Sequence, residues 1–265
     1  MIEWFEIWNE DCLESMENRI PEGGVDLVMT SPPYNMTGRK GGISDSGRYD
    51  VYEDWKTPDE YLKWSCSVFS GFERILKKDG VVLYNFSYSI ENPSLPYRLV
   101  SVLESKTPFR LVDTIIWKKG TGLPFPANQR RLSRNWEYVF VFVRDTDINT
   151  FRTARKPVSE NSRGQKYYET AYNMVTARNN DGATHNLNQA TYSTELCLKL
   201  FDIYLNDGCV VYDPFCGTGT TGVACAVSQK QDIKFIGSEI SENQCEYARN
   251  RILDLGQVSE KNNFW

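Results

Sequence analysis

The sequence has 265 residues, 40% of them hydrophobic, with 30 lysines and arginines against 35 acidic residues. That is enough chain for one large buried core or for a domain with an inserted module. No apolar run approaches the length of a membrane span, and the N-terminal MIEWFEIWNEDCLESM is acidic where a secretory signal would be basic, so no membrane partner is expected and the cytoplasm is the expected compartment. Seven cysteines without a Cys-x-x-Cys pair, beside a single histidine, His185, encourage neither a disulfide framework nor a zinc site; small buried thiols are the expectation.

Taken in chain order, the first clear element is the apolar run VDLVMT at 25–30, a strand buried on both faces. It runs into Ser31-Pro32-Pro33-Tyr34. Each proline fixes its own φ and pushes the residue before it into extended geometry, so Ser31 and Pro32 are held extended as the strand ends. Prolines carry no N–H, which leaves acceptors, the Ser31 hydroxyl oxygen and the Pro32 carbonyl, with few competing donors and an aromatic ring following. Such a site suits an exocyclic amine of cytosine or adenine, whose lone pair is delocalised into the ring. Two acceptors gripping its hydrogens favour a pyramidal nitrogen, Tyr34 can stack on the ring, and the base must be flipped out of a duplex to reach them. A rigid loop closing a strand is the plainer alternative.

Residues 36–52, glycine-rich and polar, read as a loop. PDEYLKWSCSVFSGFERILKKDG at 58–80 has apolar residues at helical spacing, acids in its first turn, bases in its last and a terminal glycine. Strands are expected at 80–86, 110–117 and 138–143. The polar, basic stretch 144–190 breaks the alternation and is where an inserted module is placed. Residues 106–178 hold 14 lysines and arginines against 6 acidic residues, whereas the rest of the chain holds 16 against 29. That basic segment is either a solvated face or an electrostatic footprint for phosphates. Helices at 193–208, capped by Ser193 or Thr194, and at 241–256, capped by Ser241, flank strands at 209–213 and 233–240. Strands alternating with helices imply a mainly parallel sheet covered on both faces.

The strand at 209–213 opens into Asp213-Pro214-Phe215-Cys216-Gly217-Thr218-Gly219-Thr220, and Glu239 follows twenty residues after Gly219. Glycines let a ligand approach the backbone, a helix N-terminus favours negative charge, and an acid at the next strand's tip can accept both ribose hydroxyls. The same pattern fits a nicotinamide dinucleotide. Asp213 at the strand tip would repel a pyrophosphate but complement the ammonium of S-adenosylmethionine, so a methyl donor is the better fit.

TSPPYN and DPFCGTGTT, together and in this order, resemble the DNA amino-methyltransferases in which the catalytic motif precedes the donor-binding motif. NEDCLESM, IIWKK, RNWEYVFVFV and FIGSEISENQCEYARNRI look like further family segments, so the resemblance runs over most of the chain. It implies an α/β, Rossmann-like methyltransferase fold with a seven-stranded, mostly parallel sheet. Residues 1–144 would form the catalytic half, 145–190 a target-recognition insert and 191–265 the S-adenosylmethionine-binding part. It implies that Ser31, Pro32, Pro33 and Tyr34 grip the base. Asp213, Pro214, Phe215, Gly217, Gly219 and Thr220 would surround the methionine end of the donor, Glu239 would hold its ribose, and Asp11 and Cys12 would border its adenine. Double-stranded DNA is the implied substrate, with phosphates met by Arg39, Lys40, Lys118, Arg130, Arg131, Arg134, Arg152, Arg155 and Lys156. A homodimer, a cognate restriction endonuclease and a prokaryotic or phage origin follow from family habit alone.

Cys12 and Cys216 are expected to line the pocket without acting as nucleophiles, because carbon-5 methylation of cytosine would need a thiolate, usually after a proline, and no Pro-Cys pair occurs. One segment departs from the family: HNLNQATYST has Asn188-Gln189 where a His-Pro pair is common and Ser193 where a second proline is common. The roles of Ala190 and Thr191 are therefore open, and His185 reads as a polar loop residue. Serine before Pro-Pro goes mainly with cytosine-N4 in this family, and a hydroxyl can accept an amine hydrogen while donating to the ring nitrogen beside it. Cytosine-N4 is favoured, with adenine-N6 as the alternative. A dehydrogenase and a non-catalytic DNA-binding protein on the same fold are more distant readings.

Overall fold

The run Val25–Thr30 is apolar on successive residues because both of its faces are covered. In the computed structural model, which describes residues 4–35, 56–88, 92–123, 132–182 and 191–261, it lies within an eight-stranded sheet. The elements are β1 (Phe5–Trp8), α1 (Cys12–Asn18), β2 (Val25–Thr30), α2 (Pro58–Ile75), β3 (Leu76–Phe86), α3 (Leu95–Lys106), β4 (Phe109–Leu123), β5 (Arg134–Arg144), β6 (Pro157–Glu160), β7 (Lys166–Tyr168), β8 (Met174–Ala177), α4 (Thr194–Tyr204), β9 (Val210–Asp213), α5 (Thr220–Val227), β10 (Lys234–Ser238) and α6 (Glu242–Lys261). Across the sheet the order is β1-β10-β9-β2-β3-β5-β4-β8, and β6 with β7 forms a separate hairpin.

Strand β5 is antiparallel to β3 and β4, and the other pairings in the large sheet are parallel. The expected α/β, mostly parallel architecture is therefore present, with eight strands in place of seven. The additional edge strand is β8, inside the 145–190 segment, whose Val175 pairs with Trp117 and is buried against the main core. Only part of that segment stands away from the sheet.

Two cores sandwich the sheet. Leu27 and Met29 face one core, shared with Leu196, Leu200 and Phe201 of α4 and Ala248 and Ile252 of α6. Val25 and Val28 face the other, with Phe69 and Phe72 of α2 and Leu99 and Leu103 of α3. Each of these side chains larger than alanine, fully buried, contributes about 1.5–3 kcal/mol.

Helix α2 starts as its sequence dictates: Thr57 and Glu60 cap one another reciprocally and Pro58 occupies the first turn. It ends five residues before Gly80, contrary to expectation. Leu76 turns extended, with ψ 137°, and pairs with Val25, while Lys77 leaves the helix to meet Asp26 at 2.6 Å. Ser193 and Ser241 cap α4 and α6, accepting from the amides of Leu196 and Gln244. Helix α6 continues past Gly256, a residue that costs a helix only about 1 kcal/mol.

Strands β9 and β2 lie side by side and parallel near the middle of the sheet, Leu27 opposite Val211. From β9 the chain crosses by α5 to β10 on one side, and from β2 it crosses by α2 to β3 on the other. Their carboxyl ends therefore flank a topological switch point, the place in an open α/β sheet where ligands gather.

Candidate functional site

Ser31, Pro32, Pro33 and Tyr34 leave the end of β2, and the turn from Asp213 to Thr220 leaves the end of β9, so the two sequence motifs are neighbours in space. On the β2 side Pro32 is buried and Ser31, Pro33 and Tyr34 are half-buried. Tyr61 of α2 donates its hydroxyl to the Pro33 carbonyl at 2.7 Å, which fixes the loop from below. The Pro32 carbonyl accepts no hydrogen bond from the described residues. Asn35 follows in the left-handed region, φ 53°, a conformation that asparagine tolerates better than most residues, and its side-chain amide donates to the Lys56 carbonyl at 2.7 Å.

Tyr34 stands edge-on to Phe86, ring centroids 5.2 Å apart. Its hydroxyl lies 2.8 Å from Ser31 Oγ, 2.7 Å from Asn85 Oδ1 and 3.0 Å from Glu137 Oε2. Glu137 is also paired with Lys119 at 2.6 Å, and that ammonium sits 4.6 Å from the centre of the Trp117 ring. Sequence reasoning missed Asn85, Glu137 and Lys119. The available signal was a lone polar side chain inside an apolar strand, as in Tyr84-Asn85-Phe86 and Trp136-Glu137-Tyr138.

On the β9 side Gly217 and Gly219 adopt φ values of 50° and 81°, which other residues rarely reach. A Cβ on Gly219 would stand 2.8 Å from the Ala248 Cβ, and one on Gly222 2.4 Å from Ile252 Cδ1. The glycines thus let the turn curl and let α5 press against α6 and β10. Glu239 accepts from the Gly217 amide at 2.9 Å with one oxygen and from the Ser241 amide at 2.9 Å with the other. Asp11 caps α1 through the Leu13 amide at 2.8 Å, and Cys12 is buried beside it, its thiol pushed well up by burial and then by Asp11. Phe215 packs against Trp64, and Thr220 accepts from Arg251 at 3.1 Å. Arg251 also holds the Thr218 carbonyl and pairs with Asp181, which receives the Thr194 amide and hydroxyl.

Asp213, at the end of β9, is 2% exposed. Thr30 Oγ1 at 2.7 Å and the Phe215 amide at 3.1 Å donate to Oδ1, and the Tyr192 hydroxyl at 3.0 Å and Thr221 Oγ1 at 2.5 Å donate to Oδ2. Burial raises its pKa by more than these hydrogen bonds lower it. With four protein donors on its two oxygens the carboxylate braces β2, β9, α5 and Tyr192. Tyr192 belongs to the atypical HNLNQATYST segment, and no local signal marked it. Pro214 continues the turn after Asp213; His185, Asn188, Gln189 and Ala190 lie outside the described residues.

The site suits a donor without a phosphate. Carboxylates of Asp213 and Glu239 hold the turn, the nearby Arg251 is already matched by Asp181, and the buried Thr218 hydroxyl of the turn has no partner among the described residues. Among the other expected cation positions, Lys118 and Lys156 are exposed and Arg152 bonds the Asn149 and Phe151 carbonyls. Arg155 ties Thr153 to the Glu169 carbonyl, and Arg134 lies over Tyr88 and bonds its carbonyl, so both brace the fold. Arg39, Lys40, Arg130 and Arg131 lie outside the described residues, as do residues 36–52.

The DNA methylase family matches this chain over residues 25–250. The chain is 28% identical over 281 residues to the type II methyltransferase M.BamHI of Bacillus amyloliquefaciens, covering 97% of this chain and 60% of that protein. To the type II methyltransferase M.Cfr9I of Citrobacter freundii it is 25% identical, covering 90% and 84%. It thus spans about three fifths of the first relative's length and most of the second's. Among solved structures it is similar to the PvuII DNA methyltransferase, described as cytosine-N4-specific, with TM-score 0.70 and 19% identity over 96% of this chain and 91% of that one. A second, M1.HpyAVI in complex with SAM, gives TM-score 0.62 and 20% identity over 94% and 98%. At such identities the likeness establishes the fold.

Proposed function

This chain belongs to the DNA methylase family, and from that premise we propose that it methylates an exocyclic amine of a flipped-out base in duplex DNA, with cytosine N4 as the acceptor and adenine N6 as the alternative. One observation carries the reading. Two acceptors, Ser31 Oγ and the Pro32 carbonyl, end β2 beside the glycine turn that ends β9, and Thr30 and Asp213 lock the two strand ends together. A dehydrogenase has no use for the first of these features.

S-adenosylmethionine, when bound, supplies a methyl group on a sulfonium. Gly217, Gly219, Thr218 and Thr220 of the turn, with Phe215, would border its methionine end, Glu239 its ribose, and Asp11 and Cys12 its adenine. Ser31 and Pro32 take the amine's hydrogens, which draws its lone pair out of conjugation with the ring, while Tyr34 offers an aromatic wall. Cytosine is favoured by family habit, in which serine before Pro-Pro goes mainly with cytosine-N4, and by the likeness to the PvuII enzyme. Residues 145–173, with the exposed Tyr167, Tyr168 and Tyr172 and the cations Lys156, Arg163 and Lys166, supply an exposed aromatic surface suited to reading DNA. Lys118 and Arg152 would add phosphate contacts.

The test is transfer of tritium from labelled donor to mixed-sequence duplex DNA. Transfer is expected to weaken steeply between low and physiological salt, as phosphate contacts require. No incorporation would remove the proposal.

A further inference from the structure

Tyr34 carries one phenolic hydrogen. Around its oxygen stand Ser31 Oγ, Asn85 Oδ1 and Glu137 Oε2, at 2.8, 2.7 and 3.0 Å. Two of these three can only accept. The Asn85 amide is oriented by its own nitrogen, which donates to the Tyr138 carbonyl at 2.8 Å, so its oxygen must be the atom that faces Tyr34. The Glu137 carboxylate is held by Lys119 on its other oxygen. If the phenol donated to Ser31, its oxygen would lie against two acceptors with no hydrogen between them, one a carboxylate. That arrangement is repulsive in a half-buried site. The single Tyr34 hydrogen is therefore shared between Asn85 Oδ1 and Glu137 Oε2, and the short Ser31 contact is made by the serine's hydrogen.

We propose that Tyr34 holds the Ser31 proton, with Asn85 and Glu137 acting as positioning residues that set the direction of this chain of hydroxyls. The proposal rests on the amino-methyltransferase reading and refines it. Ser31 is left as a pure acceptor, its lone pairs turned to the amine, equivalent in hydrogen-bonding terms to a carboxylate. It has no hydrogen for the ring nitrogen beside that amine. The expectation that serine selects cytosine by accepting from N4 and donating to N3 at once is thereby replaced. Discrimination between bases must come from other groups around the ring.

The experiment is a two-by-two cycle on the full chain. Single-turnover rates are measured for the wild-type protein and Ser31→Ala on duplexes carrying either the natural target base or its analogue with C–H in place of the ring nitrogen next to the amine. These analogues are 3-deazacytosine and 1-deazaadenine. The analogue changes the amine's intrinsic reactivity equally for both proteins, so only a contact between Ser31 and the ring nitrogen couples the two changes. The expected result is the same loss for Ser31→Ala on both duplexes, within about twofold. A loss that shrinks tenfold or more on the analogue shows Ser31 donating to the ring and overturns the proposal. The same cycle in a Tyr34→Phe background is expected to gain a coupling of threefold or more, because the serine's proton is released. Equal losses there would overturn Tyr34 as its holder. A wild-type protein that methylates neither duplex overturns the underlying reading and this proposal with it.

Discussion

The ends of β2 and β9 are neighbours, yet their polar groups are treated in opposite ways. At β9 the buried Asp213 has every lone pair met by a protein donor, from Thr30, Tyr192, Thr221 and the Phe215 amide. At β2 the Pro32 carbonyl takes nothing from the described residues, and Ser31 gives its hydrogen away to Tyr34, which leaves its lone pairs open. A closed polar group stabilises and positions, whereas an open one waits for a substrate. The site thus divides into a rigid foundation and a reactive edge one strand apart, and the Thr30–Asp213 hydrogen bond ties them together.

The largest expected effect falls on the open side. Ser31→Ala should lower turnover about 10²–10³-fold, the loss typical of deleting one preorganised polar contact to a reacting group. It should leave stability within about 1 kcal/mol, since the half-buried Ser31 makes one hydrogen bond, to a Tyr34 hydroxyl that Asn85 and Glu137 also hold. Steady-state rates, donor affinity by calorimetry and urea unfolding on one preparation would separate these. A large stability loss would erase the distinction between the two ends. Asp213→Ala should show the reverse emphasis, a loss of about 3 kcal/mol or more in urea unfolding, because three hydroxyls and an amide lose a buried acceptor.

Smaller effects sharpen the same contrast. Thr30→Val removes one hydrogen bond to a buried carboxylate and should cost about 1.5–3 kcal/mol in denaturant unfolding, with donor affinity unchanged. Gly222→Ala adds a methyl group where Ile252 and Phe235 already stand and should cost about 1–3 kcal/mol. The smallest effect is chemical. Burial raises the pKa of Cys12, Cys197, Cys216 and Cys225 and takes Cys245 to about 11. Thiolate forms only as pH rises through these raised values, so at pH 8 iodoacetamide should label the half-exposed Cys66 and Cys209 slowly and leave the other five unlabelled. Rapid labelling of Cys12 or Cys216 would mean that the donor side is less closed than its packing indicates.

Strands β2 and β9 were legible in the sequence because each is a short apolar run ended by a strong local signal, two prolines in one case and a glycine turn in the other. The helix after Thr57 was legible at its start, where the cap is local. Its end was not, because Leu76 leaves the helix to pair with Val25, a contact about fifty residues distant in sequence that local periodicity does not report. Strand β8 was hidden inside a polar stretch because only Val175 and Ala177 face the core. The site shows the same limit. Ser31, Tyr34, Gly217, Gly219 and Glu239 sit in contiguous motifs, but the brace depends on Thr30 and Asp213, 183 residues apart, and the proton chain on Tyr34 and Glu137, 103 apart. Hydrogen-bond satisfaction, a property of the folded interior, is what shows Asp213 as a brace between the two strand ends.

The most direct test of the central claim is nucleoside mass spectrometry of unmethylated mixed-sequence duplex DNA after incubation with the purified protein and S-adenosylmethionine carrying a deuterated methyl group. The expected product is trideuteromethyl N4-methylcytosine, formed about 10²–10³-fold more slowly with Ser31→Ala. Labelled N6-methyladenine would overturn the assigned base, and DNA without any labelled amino-methylated nucleoside would contradict the account.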